Sequence, residues 1–319
     1  MFDFKLTIKT NIYFLKLLGL WPKNSYDFNW YTLYTLLLNA IIASDNIGQT
    51  ANLFFVYVDF GSLMGTIFVL FTNWCASIKA SFFIYNIRYL KTLMKKIDCE
   101  EFQPKTRHHE NLVLPTLQLW KMIYYLFQIL VGVTTMLITT YPVIDGSIRR
   151  LELPFWAWYP YNTRQSQLFQ IVYFYQLFCV WCIAFTSMNI DMANTSLMMF
   201  VKAQCNLLCY NLKNLNNYNN CFNAKLLACI KHHKKILSFA NIANTFSNEI
   251  LLTQFFTSTV SLGLAMFQLS LFAPLSADSY ILLFYIVAII DEIFLYCWFG
   301  NEVEHAVSIF LNTRKNNSK

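Results

Sequence analysis

The sequence predicts an all-α, polytopic membrane protein that forms a single domain over residues 1–319. Hydrophobic residues make up 56% of the chain and charged residues only 13%, whereas about a quarter of the residues of a soluble domain are charged. The apolar residues come in blocks of about 20, the length that a helix needs to cross about 30 Å of hydrocarbon. Six blocks are expected to span the bilayer, at residues 30–51, 53–77, 122–141, 168–188, 251–274 and 280–299.

The segments outside these blocks are predicted to form helices as well. Residues 1–29 are basic and partly amphipathic, and Gly19 and Pro22 are expected to end a short helix there. The two long polar connections, 78–121 and 189–250, carry helical patterns. We therefore expect the spanning helices to continue beyond the bilayer as a packed cytoplasmic bundle.

The basic residues predict the orientation of the chain. With a cytoplasmic N-terminus, only Arg149, Arg150 and Arg164 fall on outer segments, and all the other Lys and Arg residues fall on inner ones. Basic residues near spans favour the cytoplasmic side, so the N-terminus is expected to lie inside. The nine cysteines lie in spans or on that inner side, where thiols stay reduced and no disulfide is expected.

An aromatic segment precedes the fourth predicted span. Residues 153–161 contain two prolines, which stiffen the segment, and several aromatic rings, which favour a membrane interface or an apolar pocket. The segment could therefore be an interfacial belt or the lid of a ligand vestibule.

The segment around Cys229, His232 and His233 allows two interpretations. Cys229 and either histidine lie on one helical face, as a metal site requires, but three lysines and the lack of a fourth ligand argue against zinc. A solvated cytoplasmic helix is the favoured interpretation, and no metal ligand or other cofactor is expected.

Asp59, Asp291 and Glu292 are the costly carboxylates within the predicted spans, and Asp45 lies near the far end of the first span. Intramembrane carboxylates need a partner or a wet cavity. They could line an ion path or a transport site, but hydrogen bonding to neighbouring helices is the simpler account.

The sequence contains no phosphate loop, no nucleophile elbow and no zinc-protease helix, so an enzyme is not expected. Paired broken helices, which are typical of transporters, are also not visible. The basic residues lie between apolar blocks and form no nucleic-acid surface.

Four motifs in order along the chain resemble the insect odorant receptor family. They are Leu-Gly-Leu-Trp-Pro at 18–22, Leu-Pro-x-x-x-Trp-Tyr-Pro at 153–160, Cys-x-x-His at 229–232 and Tyr-Cys-x-x-Gly-Asn at 296–301. The motif residues of the last three are Trp158, Tyr159, Pro160, Cys229, His232, Tyr296, Cys297, Gly300 and Asn301.

The resemblance implies the ligand-binding subunit of an odour-gated, nonselective cation channel. Such a subunit assembles with a shared co-receptor into a hetero-oligomer, a tetramer, in the plasma membrane of sensory neurons. The ligand would be a small volatile odorant.

The resemblance also implies an apolar pocket in the outer half of the bundle, between the second, third, fourth and sixth spans. Aromatic walls with an occasional hydroxyl suit a volatile ligand, which offers mainly apolar surface. Helical spacing selects Tyr57, Phe60, Gly61, Thr134, Leu137, Tyr141, Phe174, Phe178 and Tyr285 as candidate ligand contacts.

The end of the sequence departs from the family pattern. The family has a seventh, pore-lining span, whereas residues 312–319 are polar and too few to cross a bilayer. We therefore expect a form without that span. The alternatives are a non-conducting truncated isoform, a pseudogene product or a small-molecule transporter.

Overall fold

A computed structural model describes residues 4–22, 30–56, 60–161, 166–215, 222–271 and 277–317. Within these ranges the chain is helical, with two short 3-10 turns and no strand, so the predicted all-α fold is confirmed. The α-helices are α1 (Lys5–Leu17), α2 (Trp30–Val56), α3 (Phe60–Lys96), α4 (Arg107–Ile144), α5 (Ser166–Lys213), α6 (Phe222–Leu271) and α7 (Ala277–Asn317).

Four helices in the described part of the chain, α4 to α7, are long and apolar enough to cross a membrane. They contain the spans predicted at 122–141, 168–188 and 280–299, and the span at 251–274 as far as Leu271.

The first two predicted spans fall on α2 and α3 and stay predictions. The span at 30–51 lies within α2, whereas the one at 53–77 begins in the last turn of α2 and continues in α3. Asp59 and Tyr57 lie between these helices, outside the described residues.

The end of α1 is closed by residues of α2. Gly19 has a φ of +72°, a left-handed conformation that suits glycine and ends the helix, as the sequence predicts. Tyr31 donates its hydroxyl to Lys16 O (2.8 Å) and Thr35 donates to Gly19 O (3.0 Å). Because the last carbonyls of a helix lack partners within it, these hydroxyls fix α1 against α2.

α5 is the central helix and packs against each of the other six. The largest hydrophobic cluster surrounds its second half and the neighbouring ends of α3, α4, α6 and α7. We call this side of the bundle the α1 half, because α1 packs there. The opposite side, where the aromatic segment 153–161 lies, is called the lid half.

Aromatic rings fill the centre of the α1 half. Phe102, in the 3-10 turn after α3, lies 5.3 Å from Phe200 of α5 and 6.0 Å from Phe239 of α6, between ring centroids. Phe4 contacts the same Phe200 ring at 5.3 Å. Four segments distant in sequence are thereby joined in one core.

The motif residue His232 lies in this core, away from the predicted spans. Its Nε2 is 2.9 Å from Gln204 Oε1, and Gln204 Nε2 donates to Phe102 O (3.1 Å). The Phe102 carbonyl can only accept, so Gln204 directs its NH2 group to Phe102 and its side-chain oxygen to His232. The Nε2 of His232 therefore carries the proton that is donated to this oxygen. His233 instead stacks on Phe310, with centroids 5.0 Å apart.

Burial lowers the pKa of His232 to about 4. The unfolded chain takes up a proton here below about pH 6.5, whereas the folded chain does so only near pH 4. Stability that is present above pH 6.5 is therefore lost as the pH falls from 6.5 to 4, by up to about 3 kcal/mol.

We expect His232→Gln to reduce the acid sensitivity of the protein, because glutamine hydrogen-bonds but does not titrate. Between pH 7.5 and 5.0 the wild type should lose about 2 kcal/mol more stability than the variant, measured by thermal unfolding in detergent. His305→Gln, on an exposed part of α7, is the control and should behave as the wild type. Equal acid sensitivity of wild type and His232→Gln would contradict the conclusion that His232 causes this loss of stability.

Candidate functional site

A cavity of about 510 Å³ lies in the lid half of the bundle, between α3, α4, α5, α6 and α7. Its volume is within the range of small-molecule sites. The residues that line its apolar wall include Val69, Val131, Ile138, Ile183, Ile281, Leu282 and Ile289.

Small side chains leave this space open. Ala76 of α3, Ala184 and Ser187 of α5 and Ala288 of α7 all line the cavity. In the α1 half, by contrast, the space between the helices is filled by rings and large aliphatic side chains. The helices therefore pack tightly on one side and enclose a void on the other.

The aromatic segment 153–161 covers one end of the cavity, and we call it the lid. Pro154, Phe155 and Trp156 line the cavity from this segment. Gln176 of α5 holds the lid down: its side chain accepts from Phe155 N (3.2 Å) and donates to Phe155 O (2.9 Å) and to the Tyr159 hydroxyl (3.1 Å).

A glycine of α2 provides the second attachment of the lid. Trp158 N donates to Gly48 O at 2.9 Å. A Cβ at residue 48 would lie 3.2 Å from Trp158 O, so glycine allows the two backbones to come this close. The segment therefore lies over the cavity, as the lid alternative expects. Trp156 and Trp158 are 60% and 44% exposed, as the interfacial alternative expects.

The opposite end of the cavity is closed by charged and polar side chains. Lys79 of α3 and Asp191 of α5 form an ion pair (2.8 Å), and their side chains are only 2% and 3% exposed. Charges in a membrane must be paired to be tolerated. Tyr296 of α7, a motif residue, donates its hydroxyl to Asp191 Oδ1 (2.7 Å).

Gln254 of α6 connects this ion pair with α7. It accepts from Lys79 Nζ (2.6 Å) and donates to Ser258 Oγ (2.9 Å) and to Glu292 Oε2 (2.6 Å). Lys79, Asp191, Gln254, Ser258 and Glu292 are called the polar floor below. It joins α3, α5, α6 and α7 at one level.

The structure brings together three of the predicted ligand contacts. Thr134 and Tyr141 of α4 and Tyr285 of α7 line the cavity. The Tyr285 hydroxyl lies 3.1 Å from Thr72 Oγ1, so this ring is held by α3.

The other predicted contacts lie elsewhere. Phe174 and Phe178 are 69% and 47% exposed, because their phase on α5 directs them away from the bundle. Leu137 is partly buried and is not among the described lining residues. Tyr57, the side chain of Phe60 and the surroundings of Gly61 lie outside what the structure describes.

The remaining motif residues have varied surroundings. Cys229 is buried, whereas Pro160, Cys297 and Asn301 are exposed and Gly300 has open space around it. Among the residues that the structure describes, no three His, Cys, Asp or Glu side chains are grouped to hold a metal ion.

Sequence reasoning missed Lys79 and Asp191. Both fall one to three residues beyond predicted spans and were counted with the polar connections. The available signal was a pair of opposite charges at the ends of two apolar blocks. Of the carboxylates it did select, Glu292 reaches the cavity and hydrogen-bonds to a neighbouring helix, as the simpler account expects.

The fold is that of a polytopic helical membrane protein with a cavity among its helices. Residues 59–312 match the family model described as 7tm Odorant receptor, and the chain belongs to this family.

Individual relatives agree with the family match. Odorant receptor Or1 of Anopheles gambiae is 24% identical over 331 aligned residues, which cover 93% of this chain and 78% of that one. The olfactory receptor OR5 of Machilis hrabei, solved alone and in complex with eugenol, has the same fold with a TM-score of 0.81. It is 18% identical, and the match covers 99% of this chain and 89% of that one.

We expect Gly48→Val to loosen the lid, because the added methyl groups displace Trp158 and break its backbone hydrogen bond. Loss of this hydrogen bond should destabilise the closed lid by about 1 kcal/mol, which corresponds to a roughly fivefold larger fraction of molecules with an open lid. The measurement is the rate at which a small water-soluble thiol reagent modifies Cys75, which lines the cavity, followed by mass spectrometry.

Gly132→Val is the matched control, since a Cβ there meets nothing within 4 Å. An unchanged rate in Gly48→Val, or the same acceleration in Gly132→Val, would contradict the role of the lid.

Proposed function

We propose that the chain is the odorant-binding subunit of a heteromeric, odour-gated, nonselective cation channel, and that a small volatile molecule binds in the cavity. The second subunit is the shared co-receptor of the family, in a tetramer. The proposed role is binding and gating, without catalysis.

The cavity between the helices is the observation that supports this function most strongly. A volatile ligand that buries about 300 Å² of apolar surface gains roughly 7 kcal/mol, which is the main favourable contribution for a ligand that makes few hydrogen bonds. The contacts we propose are Thr134, Tyr141 and Tyr285, together with the lid residues Phe155 and Trp156.

The distribution of charge supports the proposed orientation. The α1 half carries the basic connections 78–121 and 189–250, whereas the lid lies next to Arg149 and Arg150. By the positive-inside rule, the α1 half faces the cytoplasm and the lid faces outward. In the plasma membrane of a sensory neuron, volatiles would therefore reach the cavity from the external side.

Co-expression with the co-receptor tests the function directly. A panel of volatiles applied outside a voltage-clamped cell should evoke a cation current that neither subunit gives alone. If no volatile evokes current from the two subunits together, the proposal fails. It also fails if a volatile is carried across the membrane without any channel current, a result that would favour a transporter.

We expect Ala184→Phe to fill part of the cavity and to raise the concentration needed for half-maximal current by roughly tenfold or more, since overpacking costs about 1–3 kcal/mol. Ala40→Phe, on an exposed part of α2, adds the same ring outside the cavity. It should leave the response unchanged. Equal responses of both variants, with equal surface expression, would place the ligand elsewhere.

A further inference from the structure

The polar floor offers acceptors to the cavity rather than donors. The ammonium group of Lys79 has three N–H bonds, and these are directed to Asp191 Oδ1, Asp191 Oδ2 and Gln254 Oε1. An anionic ligand would therefore find no spare N–H on this lysine. Glu292, which lines the cavity, presents a carboxyl group that accepts a hydrogen bond from Gln254.

The charges at the floor are also unbalanced. Among the described lining residues, Lys79 is the basic one and Glu292 the acidic one, and Asp191 lies within hydrogen-bonding and electrostatic reach of Glu292. Asp191 holds Lys79 in a bidentate contact. Glu292 is thus a second carboxyl group beside a single ammonium. Burial favours a neutral cluster, which either a proton on Glu292 or a bound cation provides.

The end of the cavity away from the polar floor also offers a hydrogen-bond acceptor. Gln268 Oε1, on the lid half of α6, is buried and finds no hydrogen-bond partner among the described residues. Between the two ends the wall is formed by side chains such as Ile138, Ile183 and Leu282. The site is therefore suited to a ligand with an apolar body and a donating, positively charged head.

We propose that the cavity selects small amines, with the protonated ammonium group bound to the Glu292 carboxylate and the hydrocarbon part against the aliphatic wall. This inference rests on the proposed function and specifies its ligand class. A carboxylate ligand would be repelled by Glu292. An alcohol can hydrogen-bond to Glu292 but brings no positive charge, so it binds less tightly.

Binding of three ligands of nearly equal shape to the purified full-length receptor tests this selectivity. The probes are 2-phenylethylamine, 2-phenylethanol and phenylacetate, and affinity is measured from the ligand-induced shift in thermal unfolding in lipid nanodiscs. The wild type should bind the amine at least about tenfold more tightly than the alcohol, and phenylacetate least tightly.

Two variants of α7 separate charge recognition from folding. Glu292→Gln should reduce amine affinity to the level of the alcohol and leave alcohol affinity within about twofold, because the amide keeps the shape of the side chain. Asp291→Asn removes the neighbouring carboxylate, which is not among the lining residues. It should leave both affinities unchanged.

The results also distinguish this inference from the proposed function. If the alcohol binds as tightly as the amine, or if Glu292→Gln keeps the preference for the amine, the amine inference is overturned while the cavity remains a ligand site. Binding of none of the three probes also overturns the amine inference, and the proposed function is then judged by the current recordings alone.

Discussion

The arrangement of the bundle depends on one buried ion pair, Lys79 with Asp191, and on the amide of Gln254 that connects it to α7. An isolated charge at this depth would be very costly, and loss of one partner from a buried pair typically costs about 3–5 kcal/mol. The pair is satisfied by contacts from α3, α5, α6 and α7 at once. These four helices can therefore meet at this level in one register. That register sets how the same helices line the cavity on one side of the polar floor and pack in the hydrophobic core on the other.

The floor divides the molecule into two halves with different packing. In the α1 half, the rings of Phe102, Phe200 and Phe239 contact one another beside α5, and the interior is filled with buried hydrophobic side chains. In the lid half, Ala184 and Ala288 face a space that no side chain fills. A rigid half beneath a hollow half is what ligand binding requires, since a ligand can replace missing contacts in the cavity without disturbing the core. The helices that line the cavity continue into the core, so movement at the floor would be transmitted along them.

Much of this organisation is encoded locally and was predictable. Runs of apolar residues predict long helices, Gly19 predicts the end of α1, and the prolines and rings of 153–161 predict a stiff segment suited to covering a pocket. The cavity was only partly predictable, because helical spacing identifies a face but not the direction in which it points. Phe174 and Phe178 share a face that turns outward, whereas Val180, Ile183 and Ala184 line the void. The pairing of Lys79 with Asp191 joins residues 112 positions apart, and no local pattern encodes such a contact.

Photo-crosslinking tests most directly whether small molecules occupy the hollow half. An apolar alcohol that carries a diazirine would be irradiated with the full-length receptor, and the labelled residues identified by mass spectrometry. Labels on cavity residues such as Thr134, Ala184 and Leu282, reduced by an excess of the unlabelled alcohol, are the predicted result. Labels confined to the outward faces of the helices, at Phe174 and Phe178, and unaffected by competition would contradict the account.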